Sequence, residues 1–285
     1  MELLTPSLPE VWFQKPGFGG MCDHIARCAA ICYDSEPKTG EDAEIFVRRL
    51  IKMGHGRALE FGTVFLNYDP ELYPDYEKYI RSGNRDVKMR ISDDDKIHIT
   101  LNLRTWMNGE RTTERLDLLK GFWMERTDHP LRATIYYPCI SRGIADEFRT
   151  HTTLSTLMQS TRYVNKNKEY GVQFVLPYWA REMKRCDLDI SILEDALAKI
   201  DEAYKKLIES GRLRQEAREV LPLCVSTEMV QCGFVGYDDE GWDNFLRLRT
   251  AKDAHPDAIK IAKLVKVCMD DFQRIAKFYS NKEAK

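Results

Sequence analysis

The chain has 285 residues, 43% hydrophobic and 31% charged, and its 45 acidic and 43 basic side chains leave a formal net charge of −2. That length suffices to bury a core without disulfide staples, and the near-neutral charge gives no global basic field of the kind nucleic-acid binding uses. No apolar run approaches the roughly 20 residues of a membrane-spanning helix, and the opening MELLTP lacks both parts of a signal peptide, so a cytoplasmic protein without a nucleic-acid or membrane partner is expected.

In chain order, the first cluster of reactive side chains is Cys22, His24, Cys28 and Cys32. None of the eight cysteines forms a C-x-x-C pair, so this cluster reads as buried thiols on a helix face rather than a metal site. Ile45, Phe46, Arg49, Leu50 and Met53 recur at helical spacing and predict a helix from Glu41 to Met53, with Gly54 as its stop. Thr63 to Leu66 is β-branched and aromatic and reads as a strand. Residues 69–95 are polar and end in three consecutive aspartates at 93–95. They read as an exposed hairpin or loop insertion, because carboxylates in a row usually face solvent. From Lys96 to Asn102 polar and apolar residues alternate, which predicts a strand with one buried face.

Ala133 to Tyr137 is a further strand. In the second half, Ser191 to Glu194 has the pattern of a capping box, predicted to open a long amphipathic helix that carries Leu193, Leu197, Ile200, Tyr204 and Leu207 and stops near Gly211. A short helix from Gln215 towards Leu221 must end before Pro222. A last helix spans Asp257 to Tyr279, with Ile259, Ile261, Leu264, Val265, Cys268 and Phe272 near a 3.6-residue period. With no repeats and no Gly/Ser linker, the chain reads as one α+β domain.

The chemistry concentrates between Glu147 and Tyr163, EFRTHTTLSTLMQSTRY. His151, Ser155, Ser160 and Arg162 fall within twelve residues. A hydroxyl two residues from a guanidinium suits an anionic oxygen, because one donates a single hydrogen bond and the other a planar fork of donors. This stretch resembles the signature of flavin-dependent thymidylate synthases, Q-x-x-R-H-R-x-x-S-x-N-E-x-S-x-R-Y, with His151, Ser155, Ser160 and Arg162 in register. Glu147 replaces the family Gln, Thr150 and Thr152 replace two arginines, and Leu157-Met158 replaces Asn-Glu. Four further segments match in order: AAICY (29–33), the family's early Ala-rich helix; GHGRALEF (54–61), G-H-x-S/T-P-F-E-H; Ala203-Tyr204 through Gly211 to AREVLP (217–222); and NFLRLR (244–249) followed by His255. About 68–130 has no counterpart and is expected to be an insertion atypical of the family.

The resemblance implies an α+β thymidylate synthase-like fold with a mixed or antiparallel sheet and long helices. It implies that Glu147, Ser160, Arg162, Arg218 and Arg249 bind the nucleotide, with Ser160 and Arg249 closest to the reaction, Arg162, Arg218 and Ser160 on the phosphate, and Arg249 facing a uracil carbonyl. His55, Glu60, His151, Ser155, Asn244 and His255 would line the flavin side. The implied activity is methylation of dUMP to dTMP, with FAD as cofactor and methylenetetrahydrofolate and NADPH as co-substrates, in a homotetramer whose sites are shared between subunits. No catalytic cysteine or metal is required. Two alternatives follow from the altered signature: a homologue that modifies another pyrimidine nucleotide, because an ionised Glu147 only accepts hydrogen bonds, or a nucleotide-binding relic without turnover. Asp238 and Glu240 stand where the family commonly has Asn and Arg, and Arg149 is one residue out of register with a lost arginine. The 68–130 segment is itself rich in cations: Arg81, Arg85, Lys88, Arg90, Arg104, Arg111 and Arg115.

Overall fold

In a computed structural model that describes residues 1–68, 85–92, 96–121, 129–166, 171–181, 186–237 and 239–283, the β-branched and aromatic run RATIYYPCIS forms a ten-residue strand. The elements in chain order are β1 (Glu2–Leu4), β2 (Glu10–Trp12), α1 (Gly17–Ala30), α2 (Gly40–Met53), α3 (Gly56–Leu59), β3 (Thr63–Tyr68), β4 (Val87–Ile91) and β5 (Ile97–Asn102). Then come α4 (Leu103–Met107), α5 (Glu114–Leu118), β6 (Arg132–Ser141), α6 (Arg142–Arg149), β7 (Ser155–Met158) and β8 (Gln173–Val175). The chain continues through α7 (Asp187–Glu209), α8 (Arg214–Ala217), β9 (Ser226–Phe234), α9 (Gly241–Arg249) and α10 (Pro256–Glu283). One antiparallel sheet has the order β2-β6-β9-β7 and a second the order β3-β5-β4, while β1 and β8 pair in parallel. The fold is α+β, as the sequence implies.

The central strand β9 was not anticipated. Its sequence, STEMVQCGF, carries polar residues at positions that are nonetheless buried, Thr227 and Gln231 among them. Gln231 is tolerated there because it is fully used: it accepts from the Tyr137 hydroxyl at 3.1 Å and donates to the Phe148 carbonyl at 3.1 Å and to Thr156 Oγ1 at 3.2 Å. Between β6 and β9 the register shifts from Tyr137 to Ile140. Pro138 lies in that interval, and a residue without an N–H fits an irregularity better than a regular ladder. The sheet is backed by α6, α9 and α10 through Phe148, Trp242, Phe245, Ile261 and Val265.

A second core joins α1 and α2 to the β3-β5-β4 sheet and to α4 and α5, around Met21, Ile25, Val47, Leu101 and Trp106. The helix predicted at Glu41–Met53 is present, and Gly54 closes it in the left-handed region (φ 71°). Its core face is Ala43, Val47, Leu50 and Ile51, while Ile45 and Met53 are exposed. Cys22 and Cys28 are buried thiols of α1, and burial pushes Cys22 up to about 12. Among the described residues no group of three His, Cys, Asp or Glu is placed to hold a metal ion, and no helix is long and apolar enough to cross a membrane.

Two element readings need correction. The long helix α7 starts at Asp187, so Ser191 is an interior residue and not a cap. Asp187 and Asp189 in the first turn favour the positive helix end and let the helix run further back. Strand β5 is buried on both faces from His98 to Asn102. Ile99 and Leu101 join the α1–α2 core, while on the other face the His98 ring meets that of His129 at 4.9 Å. In the 69–95 segment the described part forms the hairpin alternative: the largely exposed strand β4 pairs antiparallel with β5, while the aspartate run lies outside the described residues.

Candidate functional site

The edge strand β7 runs past three groups of side chains. At its entrance, α6 ends in a turn that presents Glu147, Thr150 and His151 to Arg249, the last residue of α9. The Arg249 guanidinium is 19% exposed and almost fully engaged. Its Nη1 donates to Glu147 Oε2 at 3.2 Å, and its Nη2 to the Glu147 carbonyl at 2.7 Å and Thr150 Oγ1 at 3.0 Å. Its Nε donates to His151 Nε2 at 2.6 Å. Burial, reinforced by this guanidinium, lowers the His151 pKa to about 4, so the ring is neutral at pH 7 and accepts. The Arg249 donors expected to face substrate are thus held by the protein itself. His255 sits nearby, on a groove of about 560 Å³ that Glu147 and Thr150 also line. Its Nδ1 accepts the Asp257 N–H at 3.2 Å.

Ser155 opens β7 and is buried. It hydrogen-bonds Glu60, whose carboxylate also takes Arg57 at 2.9 Å and Arg104 at 2.5 Å. Burial alone would raise the Glu60 pKa, but these donors hold it below the ordinary carboxylate value. The folded chain therefore favours the ionised form more than the unfolded chain does. That stabilisation is complete above the unfolded pKa of about 4.3 and is lost as pH falls through the lower folded value. Glu60→Gln is expected to cost about 1.5–3 kcal/mol at pH 7, and the difference from wild type should shrink on acidification in urea unfolding measured at several pH values.

Beyond the end of β7 the chain turns sharply. The Ser160 N–H donates to the Cys32 carbonyl, and the Ser160 carbonyl accepts from Tyr163 and Val164. Ser160 Oγ accepts the Arg162 N–H at 3.2 Å, which leaves its proton to donate outward. Arg162 is exposed and its guanidinium lies 5.4 Å from the Tyr163 ring, which packs on Tyr33. From α8 and the turn after it, Arg218 donates to Thr161 Oγ1 at 3.3 Å and Arg214 to the Tyr163 carbonyl. The sequence reading missed Arg214. Its signal was present, since it precedes Arg218 by four residues and so shares its helical face.

The structure brings Ser160, Arg162 and Arg218 together and places Arg249 with Glu147 and His151. No hydrogen bond or ion pair among the described residues joins the two groups. Ser155 and Ser160, five residues apart on near-extended chain, are separated by no more than about 18 Å. Asn244 lies on α9 and accepts Arg247 at 2.9 Å. Arg149, one register off, pairs with Asp146 at 3.4 Å instead of joining Arg249. Glu240 pairs with Lys88 of β4, and Asp238 lies outside the described residues.

Two adjoining clefts flank the Glu60 group. One, of about 750 Å³, is lined by Tyr33, Phe46, Met53, His55 and Leu157. The other, of about 780 Å³, is lined by Arg57, Arg85, Arg104 and Arg111 together with Glu60, Asp86 and Glu110. Leu50, Gly54, Gly56, Arg57 and Arg104 line both. Phe46 and Met53, apolar residues of the helical pattern in α2, therefore line a cleft while other residues fill the core.

A sequence comparison with curated proteins finds no match. Among solved structures, the chain is similar to a UMP/dUMP methylase PolB from Streptomyces cacaoi bound with 5-Br dUMP, at 16% identity and TM-score 0.44, covering 95% of this chain and 93% of that one. It is likewise similar to the same methylase bound with 5-Br UMP, at 14% identity and TM-score 0.45, covering 99% and 97%. The sequence model described as thymidylate synthase complementing protein matches residues 129–273. That span is just over half of the chain and contains the Arg249 group and the Ser160 turn, so the chain belongs to the thymidylate synthase complementing protein family.

Proposed function

We propose that this protein methylates a uracil nucleotide, in the simplest case dUMP to dTMP. The observation that carries this reading is the Ser160–Tyr163 turn, where Ser160 Oγ accepts the Arg162 backbone N–H, the Arg218 guanidinium donates to Thr161 Oγ1 and the Arg214 guanidinium to the Tyr163 carbonyl. A phosphate dianion is matched by such donors, because each ionised hydrogen bond is stronger than a neutral one and arginine cannot lose its proton. Arg162, Arg218 and the outward-donating Ser160 hydroxyl hold the phosphate. Arg249, fixed by Glu147, Thr150 and His151, stabilises negative charge that develops on the ring. His151 stays neutral there and acts by orienting the guanidinium, so it adds no second cation. As the family resemblance implies, the complete site is shared between subunits of a homotetramer.

The clefts beside Glu60 fit FAD: the aromatic, apolar cleft accepts a flat ring system, and the arginine-lined cleft accepts phosphates. When bound, FAD carries the hydride that NADPH provides, and methylenetetrahydrofolate supplies the one-carbon unit. His55 and the Ser155–Glu60 pair lie along this side. The test is to incubate purified protein with FAD, reduce it with NADPH and add dUMP and methylenetetrahydrofolate. The expected results are a yellow protein, reduction of the flavin and formation of dTMP. A protein that takes up no FAD and forms no dTMP overturns the reading.

One observation favours a second substrate. Glu147 gives only Oε2 to Arg249, so Oε1 is left to accept, and a ring amino group would satisfy it where a uracil carbonyl would not. Calorimetry with dUMP and dCMP separates the two. Tighter dCMP binding, reversed in Glu147→Gln, supports the amino-bearing ring, and preference for dUMP by the wild type rejects it.

A further inference from the structure

The family signature loses two arginines here, at Thr150 and Thr152, and neither is replaced in place. Thr150 is occupied with Arg249 and the Glu147 carbonyl, and Arg149 with Asp146. Cations have instead gathered at the other side of Ser155. Arg104 and Arg111 belong to the segment without family counterpart, yet both reach the cleft beside Glu60, together with Arg85 and with Arg57 of α3.

The backbone there is shaped around them. A Cβ on Gly54, which already holds φ +71°, would lie 3.3 Å from the Arg111 guanidinium, and a Cβ on Gly56 would lie 3.0 Å from Arg104 Nε. The Arg111 guanidinium thus lies against the bare backbone of Gly54 and the Arg104 side chain against that of Gly56, where a larger residue would crowd both. The cleft's carboxylates do not cancel the charge uniformly. Glu60 is shared by Arg57 and Arg104, and Glu110 pairs with Arg115 at 3.3 Å. Asp86 is the third acid. Arg85 and Arg111 have no carboxylate partner among the described residues. Arg104 remains 56% exposed despite its pair with Glu60, so it retains donors for a ligand.

We propose that Arg104 and Arg111, with Arg57 and Arg85, bind the pyrophosphate of a dinucleotide cofactor whose ring system lies in the adjoining apolar cleft. This rests on the flavin reading above and adds to it a site built by residues that the family signature does not contain. The shared wall of the two clefts lets one ligand with a flat apolar end and a doubly anionic middle occupy both. A ligand of either kind alone would leave one cleft unused.

The test is FAD binding, read by quenching of flavin fluorescence, with no turnover required. Arg111→Ala is the informative variant, because Arg111 has no ion pair among the described residues, and its circular dichroism is expected to match that of the wild type. Arg104→Gln is the second, retaining side-chain bulk beside Glu60. Each is expected to weaken FAD binding by about tenfold to a hundredfold. Inorganic pyrophosphate should compete with FAD on the wild type and lose that effect in the double variant. Arg218→Ala should leave FAD affinity unchanged. If the wild type binds FAD and the Arg111 and Arg104 variants bind it equally well, this assignment is wrong while the flavin reading stands. If the wild type binds no FAD, both fall.

Discussion

Replacing Arg249 by alanine should lower kcat/KM by about two to three orders of magnitude, the loss typical of removing one preorganised donor from developing negative charge. The side chain is part-buried and holds the Glu147 carboxylate and carbonyl, the Thr150 hydroxyl and His151 Nε2 at once. Its removal therefore disturbs both charge and geometry, and Arg249→Lys should recover little, since an ammonium cannot reproduce the planar fork. His151 provides a readout independent of turnover. Its pKa, about 4 in the folded chain, is lowered first by burial and then by Arg249. In Arg249→Ala it should rise but remain below 6.5, as followed by NMR titration of the ring. The linkage also has a direction. The unfolded chain binds this proton more readily, so the wild type should lose stability as pH falls from about 6.5 towards 4, by up to about 3 kcal/mol from this group. Glu60 acts in the same direction at lower pH. A His151 ring that titrates near 6.5 in the wild type would mean that it is neither buried nor held against Arg249.

The second large effect concerns affinity. The Arg162→Ala and Arg218→Ala single variants should each weaken dUMP binding by about tenfold to a hundredfold, the range for one charged hydrogen bond of 1.5–3 kcal/mol. Both groups converge on one turn, Arg162 through its backbone link to Ser160 and Arg218 through Thr161. The double variant should consequently deviate from additivity. Deoxyuridine, which lacks the phosphate, is the control. It should bind wild type and double variant with equal, weak affinity. Because both arginines are exposed or half-exposed and support few internal contacts, thermal stability should change little. Calorimetry in which the variants bind dUMP as tightly as wild type would remove the phosphate assignment.

Much of the scaffold is legible from periodicity. The apolar residues of α2, α7 and α10 recur at 3.6 and the glycine stops at 54 and 211 act as read. Strands β7 and β9 are not legible. Their polar residues are buried because tertiary partners satisfy them, Gln231 with Tyr137, Phe148 and Thr156, and Ser155 with Glu60. A local pattern cannot announce a partner eighty residues away. The same limit applies to the candidate site. The resemblance pointed to His151, Glu147 and Arg249 as residues for ligands, whereas the fold reveals that they engage one another. Nothing in the sequence tied the cations of the unmatched segment to the site, and only the turn of α4 and the chain after it carries Arg104 and Arg111 to the wall of a cleft that also holds Glu60, beside the cleft that holds His55.

The direct test is a crystal structure of the protein grown with dUMP. The phosphate should lie within hydrogen-bond distance of Ser160 Oγ and the guanidinium groups of Arg162 and Arg218, with the uracil ring directed to Arg249, from the same chain or a neighbouring subunit. A nucleotide bound with its phosphate elsewhere, and the Ser160–Tyr163 turn empty, would contradict the assignment.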